Sequence, residues 1–171
     1  RRAVQEAGLG AGSRDVNWIP QPLAAAIGVD LPINTPTGNM IISAGGGTSQ
    51  AAVISMSGIV SAETTHTAGL KLDDAICAYV RRKYGLIIAQ PTAEALKIRI
   101  GAALPSDEEK TMEIQGQDQV SGLPKPASLT TNEIVEALQD PLSDIANTTK
   151  RVLEKTPPEL ISDIIDRGDS Y

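Results

Sequence analysis

The chain has 171 residues and a formal net charge of −6, with 41% hydrophobic and 21% charged residues; that is ordinary globular composition, enough for one substantial core or two small ones. A single cysteine, Cys77, excludes an internal disulfide, and His66, the lone histidine, has no second histidine or nearby cysteine with which to form a transition-metal site. The acidic balance, the 2% aromatic content and the lack of any basic cluster beyond Arg81-Arg82-Lys83 argue against a nucleic-acid groove.

Arg1–Ala7 reads as the tail of a helix stopped by Gly8 and Gly10, an odd start for an intact gene product. Asp15–Ile19 reads as a strand. Pro22–Ile27 is a short helix with proline near its first turn and Gly28 at its end. Residues 29–39 form a loop rich in Pro, Asn and Gly. Met40–Ala44, Ala51–Ser55 and Ile59–Thr65 predict a three-stranded meander, with Gly45–Thr48 joining the first pair and Ser57-Gly58 turning tightly between the second.

Gly69 precedes a long amphipathic helix that Gly85 ends. Leu72, Ala75, Ile76, Tyr79 and Val80 make its apolar face, and Cys77 belongs to the buried side. Asp73 and Asp74, read as first-turn residues, and Arg81, Arg82 and Lys83 at the other end complement the helix dipole. A second helix follows over Thr92–Ile100, just after Pro91, with Glu94 and Lys97 on one side. An acidic loop covers Pro105–Glu109. Thr111–Gln117 and Ala127–Leu129 are strand candidates around a turn at Ser121–Pro124. Thr130-Thr-Asn-Glu133 matches a capping box, and Pro141 is expected to divide the helix it opens from another at Leu142–Leu153. Thr156-Pro-Pro-Glu159 caps a last helix, Glu159–Arg167, ending at Gly168. There is no internal repeat and no low-complexity segment.

The segment with most chemical content is Met40–Gln50, where an apolar run enters Gly45-Gly46-Gly47-Thr48 and a second run leaves it. Consecutive glycines let backbone N–H groups approach an anion closely, which suits a phosphate-cradling hairpin. A purely structural hairpin that needs glycine for its turn is the alternative.

Taken in order, the glycine turn, Pro22-Leu-Ala-Ala-Ala-Ile-Gly28, Tyr79-Val-Arg-Arg-Lys-Tyr-Gly85, Thr92-Ala-Glu-Ala-Leu-Lys97, Glu154–Leu160 and Asp163–Gly168 resemble the MreB family of bacterial cell-shape actins. The glycine turn resembles the second phosphate loop of the wider actin, heat-shock 70 and sugar-kinase superfamily. The resemblance covers essentially this whole chain but only about half of such a polypeptide. The first phosphate loop and an adenine-side glycine segment lie outside it, so a truncated or fragmentary chain is expected. The implied fold is α/β: an actin-like (ribonuclease H-like) ATPase-domain lobe with an inserted small α+β subdomain. Residues 1–84 would form the subdomain IIA core and 85–158 a IIB-like insert, with 159–171 returning toward IIA. Trp18 is then expected in the core or at the interface between lobes.

The resemblance also implies ATP and Mg²⁺ as cofactors. Gly45, Gly46, Gly47 and Thr48 would serve the β/γ-phosphates, and Glu94, Ala95, Leu96 and Lys97 the ribose and adenine side. Gln21 stands at the position of the water-orienting glutamate, and Ser43 at that of the aspartate that holds hydrated magnesium. Glutamine cannot accept a proton at neutral pH, and serine is a poorer ligand for a hard cation. Pro20, Gln50 and Leu70 likewise replace acidic residues. The implied function is a nucleotide-dependent cytoskeletal filament protein of cell-shape maintenance, self-assembling and working with the cell-elongation machinery. Hydrolysis would be slow in the whole protein and absent from these 171 residues alone. The expected location is cytoplasmic, with membrane association only peripheral and through regions outside this stretch. The alternative is a non-catalytic interaction protein, or remnant, with a degenerate nucleotide site.

Overall fold

Small and β-branched residues dominate Asn39–Thr65, and the computed structural model, which describes residues 2–105 and 107–168, folds them into an antiparallel meander. Its strands are β1 (Asn39–Ala44), β2 (Ser49–Ser55) and β3 (Gly58–Thr65). Ala51, Ala52, Val53 and Ile54 of the central strand are all buried, which explains an unbroken apolar run where a half-exposed strand would alternate. One face packs Ile41 and Ile54 against Ala26 of α2 (Gln21–Gly28) and Ile33 of the following loop. The other packs Met40, Ala51 and Val53 against Val152 of α5 (Thr131–Glu154) and Ile164 of α6 (Pro158–Gly168).

The second hairpin differs from the expectation by one residue. Ser55 pairs with Gly58, so Met56 and Ser57 form the two-residue turn, with φ of 51° and 60°. Left-handed dihedrals at both turn positions match the twist of the flanking strands, and here non-glycine residues adopt them. Gly58 is already strand.

The larger core surrounds a second sheet, β4 (Leu86–Ile87), β5 (Thr111–Asp118) and β6 (Pro124–Thr130), in that spatial order. Helices α3 (Gly69–Tyr84) and α4 (Gln90–Ile100) and the first half of α5 cover it, burying Ile76, Val80, Leu86, Leu96, Leu129 and Ile134 together. Burial of each such side chain stabilises by about 1.5–3 kcal/mol. As an edge strand, β6 tolerates Pro124 and Pro126, so it begins earlier than Ala127. The α3 helix ends as expected at Gly85, whose φ of 64° makes a left-handed cap.

Three expectations are corrected. The N-terminal helix, α1 (Arg2–Gly10), runs through Gly8, where a Cβ would come within 2.8 Å of Val16 Cγ2. Asp15–Ile19 pairs with no strand; Trp18 within it is 49% exposed and lies outside the core, one of the two places expected for it. Pro141 does not divide α5, which continues through it: Ile134 and Leu138 anchor one half in the larger core, and Val152 anchors the other on the first sheet. Packing of both halves overrides the local proline penalty. Arg1 and Asp169–Tyr171 lie outside the described residues.

Candidate functional site

The β1–β2 register makes Gly45–Thr48 the connection, closed by the Gly45 N–H donating to the Thr48 carbonyl at 2.9 Å. None of the three glycines has positive φ, and a Cβ placed on Gly46 or Gly47 would meet nothing within 4 Å. At Gly46 and Gly47, neither a left-handed φ nor packing among the described residues therefore requires glycine, whereas a Cβ on Gly45 would lie 3.4 Å from the Thr48 carbonyl. The N–H groups of Gly46 and Gly47 make no hydrogen bond among the described residues.

The turn's carbonyls are engaged on its other side. The Gly69 N–H donates to Gly45 O at 3.0 Å and the Leu70 N–H to Gly46 O at 2.9 Å. Those two N–H groups open α3 and have no partner within the helix, and no side chain caps it; the turn's backbone takes that role. The approach is close: a Cβ at position 69 would lie 3.3 Å from Gly45 O, a tight contact, and 3.6 Å from Lys97 Nζ.

Lys97, on α4, reaches into this junction. Its ammonium lies 2.7 Å from Asp73 Oδ1 and donates to Gly69 O at 3.2 Å. Asp73 is 2% exposed, and its contact with Lys97 is one of charge rather than an aligned hydrogen bond. It is the fifth residue of α3, beyond the first turn, so the helix dipole does not explain it. The sequence did carry a signal: Asp73 shares a helix face with Ile76 and Val80, three and seven residues on, both buried.

The remaining sequence-derived positions are spread around the turn. Ser43, half-buried at the end of β1, lies directly across from Gln50, which lies across from Thr64. Gln50 donates from Nε2 to Thr64 Oγ1 at 3.0 Å, and its buried Oε1 has no partner. Gln21 is the exposed first residue of α2. Glu94 is exposed and Ala95 half-buried on α4, while Leu96 is completely buried in the larger core.

As a donor set, these groups suit an anion and not a protein-held divalent cation. Ser43, Gln21 and Gln50 are neutral, and no group of three His, Cys, Asp or Glu side chains able to hold a metal occurs among the described residues. Bare glycine backbone with unbonded N–H groups has the character of a phosphate nest.

A family model described as MreB/Mbl protein matches residues 1–169. The chain belongs to the MreB/Mbl family. It is 46% identical over 168 residues to the cell shape-determining protein MreB of Escherichia coli (strain K12), covering 98% of this chain and 48% of that protein. It spans about half the length of the curated MreB and Mbl relatives it matches. Among solved structures, MreB5 of Spiroplasma citri bound to AMPPNP superposes with a TM-score of 0.94 at 38% identity, over 98% of this chain and 50% of that one. The MamK double helical filament matches with a TM-score of 0.66 at 21% identity, over 85% of this chain and 43% of that one, a likeness of fold. The fold is actin-like.

Proposed function

We propose that Gly45, Gly46, Gly47 and Thr48 receive the β- and γ-phosphates of ATP in a nucleotide-dependent, self-assembling cytoskeletal protein of bacterial cell-shape maintenance. One observation carries the phosphate reading: Gly46 and Gly47, two successive glycines of the turn, leave open space that neither a left-handed φ nor packing among the described residues demands. A group from outside the chain is a physical reason for bare backbone there. The relationship to MreB5, which was solved with AMPPNP, supports the nucleotide as that group. Assembly into filaments, work with the elongation machinery and a cytoplasmic location, peripheral to the membrane at most, follow from family membership as part of the same proposal. No helix among the described residues is long and apolar enough to cross a membrane.

Within this reading, Glu94 faces the ribose and adenine side from α4, with Ala95 beside it. Leu96 contributes through the helix it anchors, and Lys97 through the junction with α3. Residues 1–84 are assigned to IIA, 85–158 to the IIB-like insert and 159–171 to the return, with α3 at the end of the first stretch packing against the core of the second. Gln21 can orient a water but cannot take its proton, and no residue of this chain is assigned to magnesium. Hydrolysis needs preorganised groups on both sides of the phosphate chain, so these residues alone turn over no ATP.

The test is calorimetric titration of ATP into the chain and into Gly46→Val. Gly46 has no left-handed φ and its Cβ position is open, so neither opposes the new side chain within the turn. The expected result is binding weakened at least about tenfold by the new side chain. Equal affinities, or no binding by the unaltered chain, would overturn the phosphate reading.

A further inference from the structure

We infer that Asp73 and Lys97 form a positioning pair, which aims the free N–H groups of the glycine turn by anchoring its carbonyls through the start of α3. The inference rests on the phosphate reading for its purpose, but its geometry stands independently. In a trans peptide, the carbonyl of one residue and the N–H of the next point in opposite directions. Gly45 O and Gly46 O are held by the N–H groups of Gly69 and Leu70. The N–H groups in the same two peptide planes, those of Gly46 and Gly47, are therefore turned away from α3 and left without partners among the described residues.

What fixes Gly69 in turn is Lys97. Its ammonium bridges the Gly69 carbonyl and the Asp73 carboxylate and thereby ties α4 to the first turns of α3. At 2% exposure the Asp73 carboxylate has almost no contact with water and faces this cation instead, and Lys97 at 21% exposure is directed inward. Space is equally constrained, because Gly69 is wedged between Gly45 O and Lys97 Nζ. The chain of contacts thus runs from α4 through Asp73 and Gly69 to the two donors. Lys97 acts on a bound phosphate through this chain of contacts rather than by touching it.

The experiment is residue-resolved amide hydrogen exchange on the nucleotide-free chain. It compares the unaltered chain, Lys97→Arg and the double variant Asp73→Leu/Lys97→Met. The double variant removes both charges together, so no buried carboxylate is orphaned. Expected is at least about tenfold faster exchange at Gly69 and Leu70 in the double variant, with Ile134 and Leu138 in α5 still protected. Lys97→Arg, which keeps the cation, should hold Gly69 and Leu70 close to their original protection. Unchanged exchange at Gly69 and Leu70 in the double variant, or a uniform loss that includes Ile134 and Leu138, would overturn the pairing role. No nucleotide is present, so a failure to bind ATP would count against the phosphate reading alone.

Discussion

Ser43 differs from aspartate by a hydroxyl in place of a carboxylate, and that exchange removes charge from a half-buried site one residue before Ala44 leads into the glycine turn. A hard divalent cation gains little from a neutral hydroxyl and much from an anionic oxygen. Across the strand pair, Gln50 has a buried Oε1 without a donor while its Nε2 is spent on Thr64. Flipping that amide would let the Thr64 hydroxyl donate to Oε1 and would free the NH₂ to meet a carboxylate at position 43. Ser43→Asp is therefore expected to fold and to make nucleotide binding magnesium-dependent. ATP affinity with Mg²⁺ should exceed that in chelator by about fivefold or more, against a ratio near one for the unaltered chain. Titrations in both buffers measure it, and equal ratios for the two proteins would show that position 43 does not govern the metal.

The α5 helix is where sequence and structure agree best at one end and part in the middle. Its start was legible because a capping box is a local device: the Thr130 N–H donates to Glu133 Oε2 at 2.9 Å, three residues away. Its passage through Pro141 was not, because the compensating contacts come from distant chain segments. The same division holds elsewhere. The glycine turn and α3's C-terminal cap announced themselves locally, whereas the two-residue β4 is too short for a period, and Asp73 acquires its meaning only from Lys97 on another helix. Glu133 also gathers Lys83 at 2.7 Å and the Tyr84 hydroxyl at 2.6 Å. Burial pushes its carboxyl up, but the bonds from Lys83, Tyr84 and the Thr130 N–H outweigh burial and hold it below the ordinary glutamate range. The hydrogen bond to Glu133, then burial, raises Tyr84 to about 12. A depressed carboxylate stabilises the fold above its unfolded value and loses that contribution as pH falls through the folded one. Glu133→Gln should thus cost about 1–3 kcal/mol at pH 7. The deficit should shrink as pH falls below the ordinary carboxylate range and vanish once the native glutamate is itself protonated. Urea unfolding of both proteins at several pH values checks this; a deficit unchanged into acid would assign the loss to shape rather than charge.

At the scale of the whole molecule, α5 joins the two cores. Its first half buries Ile134, Val135 and Leu138, and its second buries Thr148 and Val152. It is also clamped to the first sheet by polar contacts. Asp144 accepts hydrogen bonds from Thr67 and, at 2.8 Å, from Thr65, and the Ser61 hydroxyl donates to Val152 O at 3.0 Å. Just past the helix, Lys155 pairs with Glu63. A helix held this firmly at both ends cannot unfold over one core without loosening the other, so the glycine turn shares the stability of a cluster in which none of its residues takes part. Leu138→Ala, remote from β2 in the larger core, is expected to cost about 2–5 kcal/mol. Amide exchange should reveal that cost equally at Ile114 in β5 and at Val53 in β2, because both then open with the same cooperative unit. Half-exposed Trp18 sits in neither core, so its fluorescence is a poor substitute for this measurement. If Val53 kept its full protection while Ile114 lost it, the cores would be independent units and Pro141 a point at which α5 parts between them.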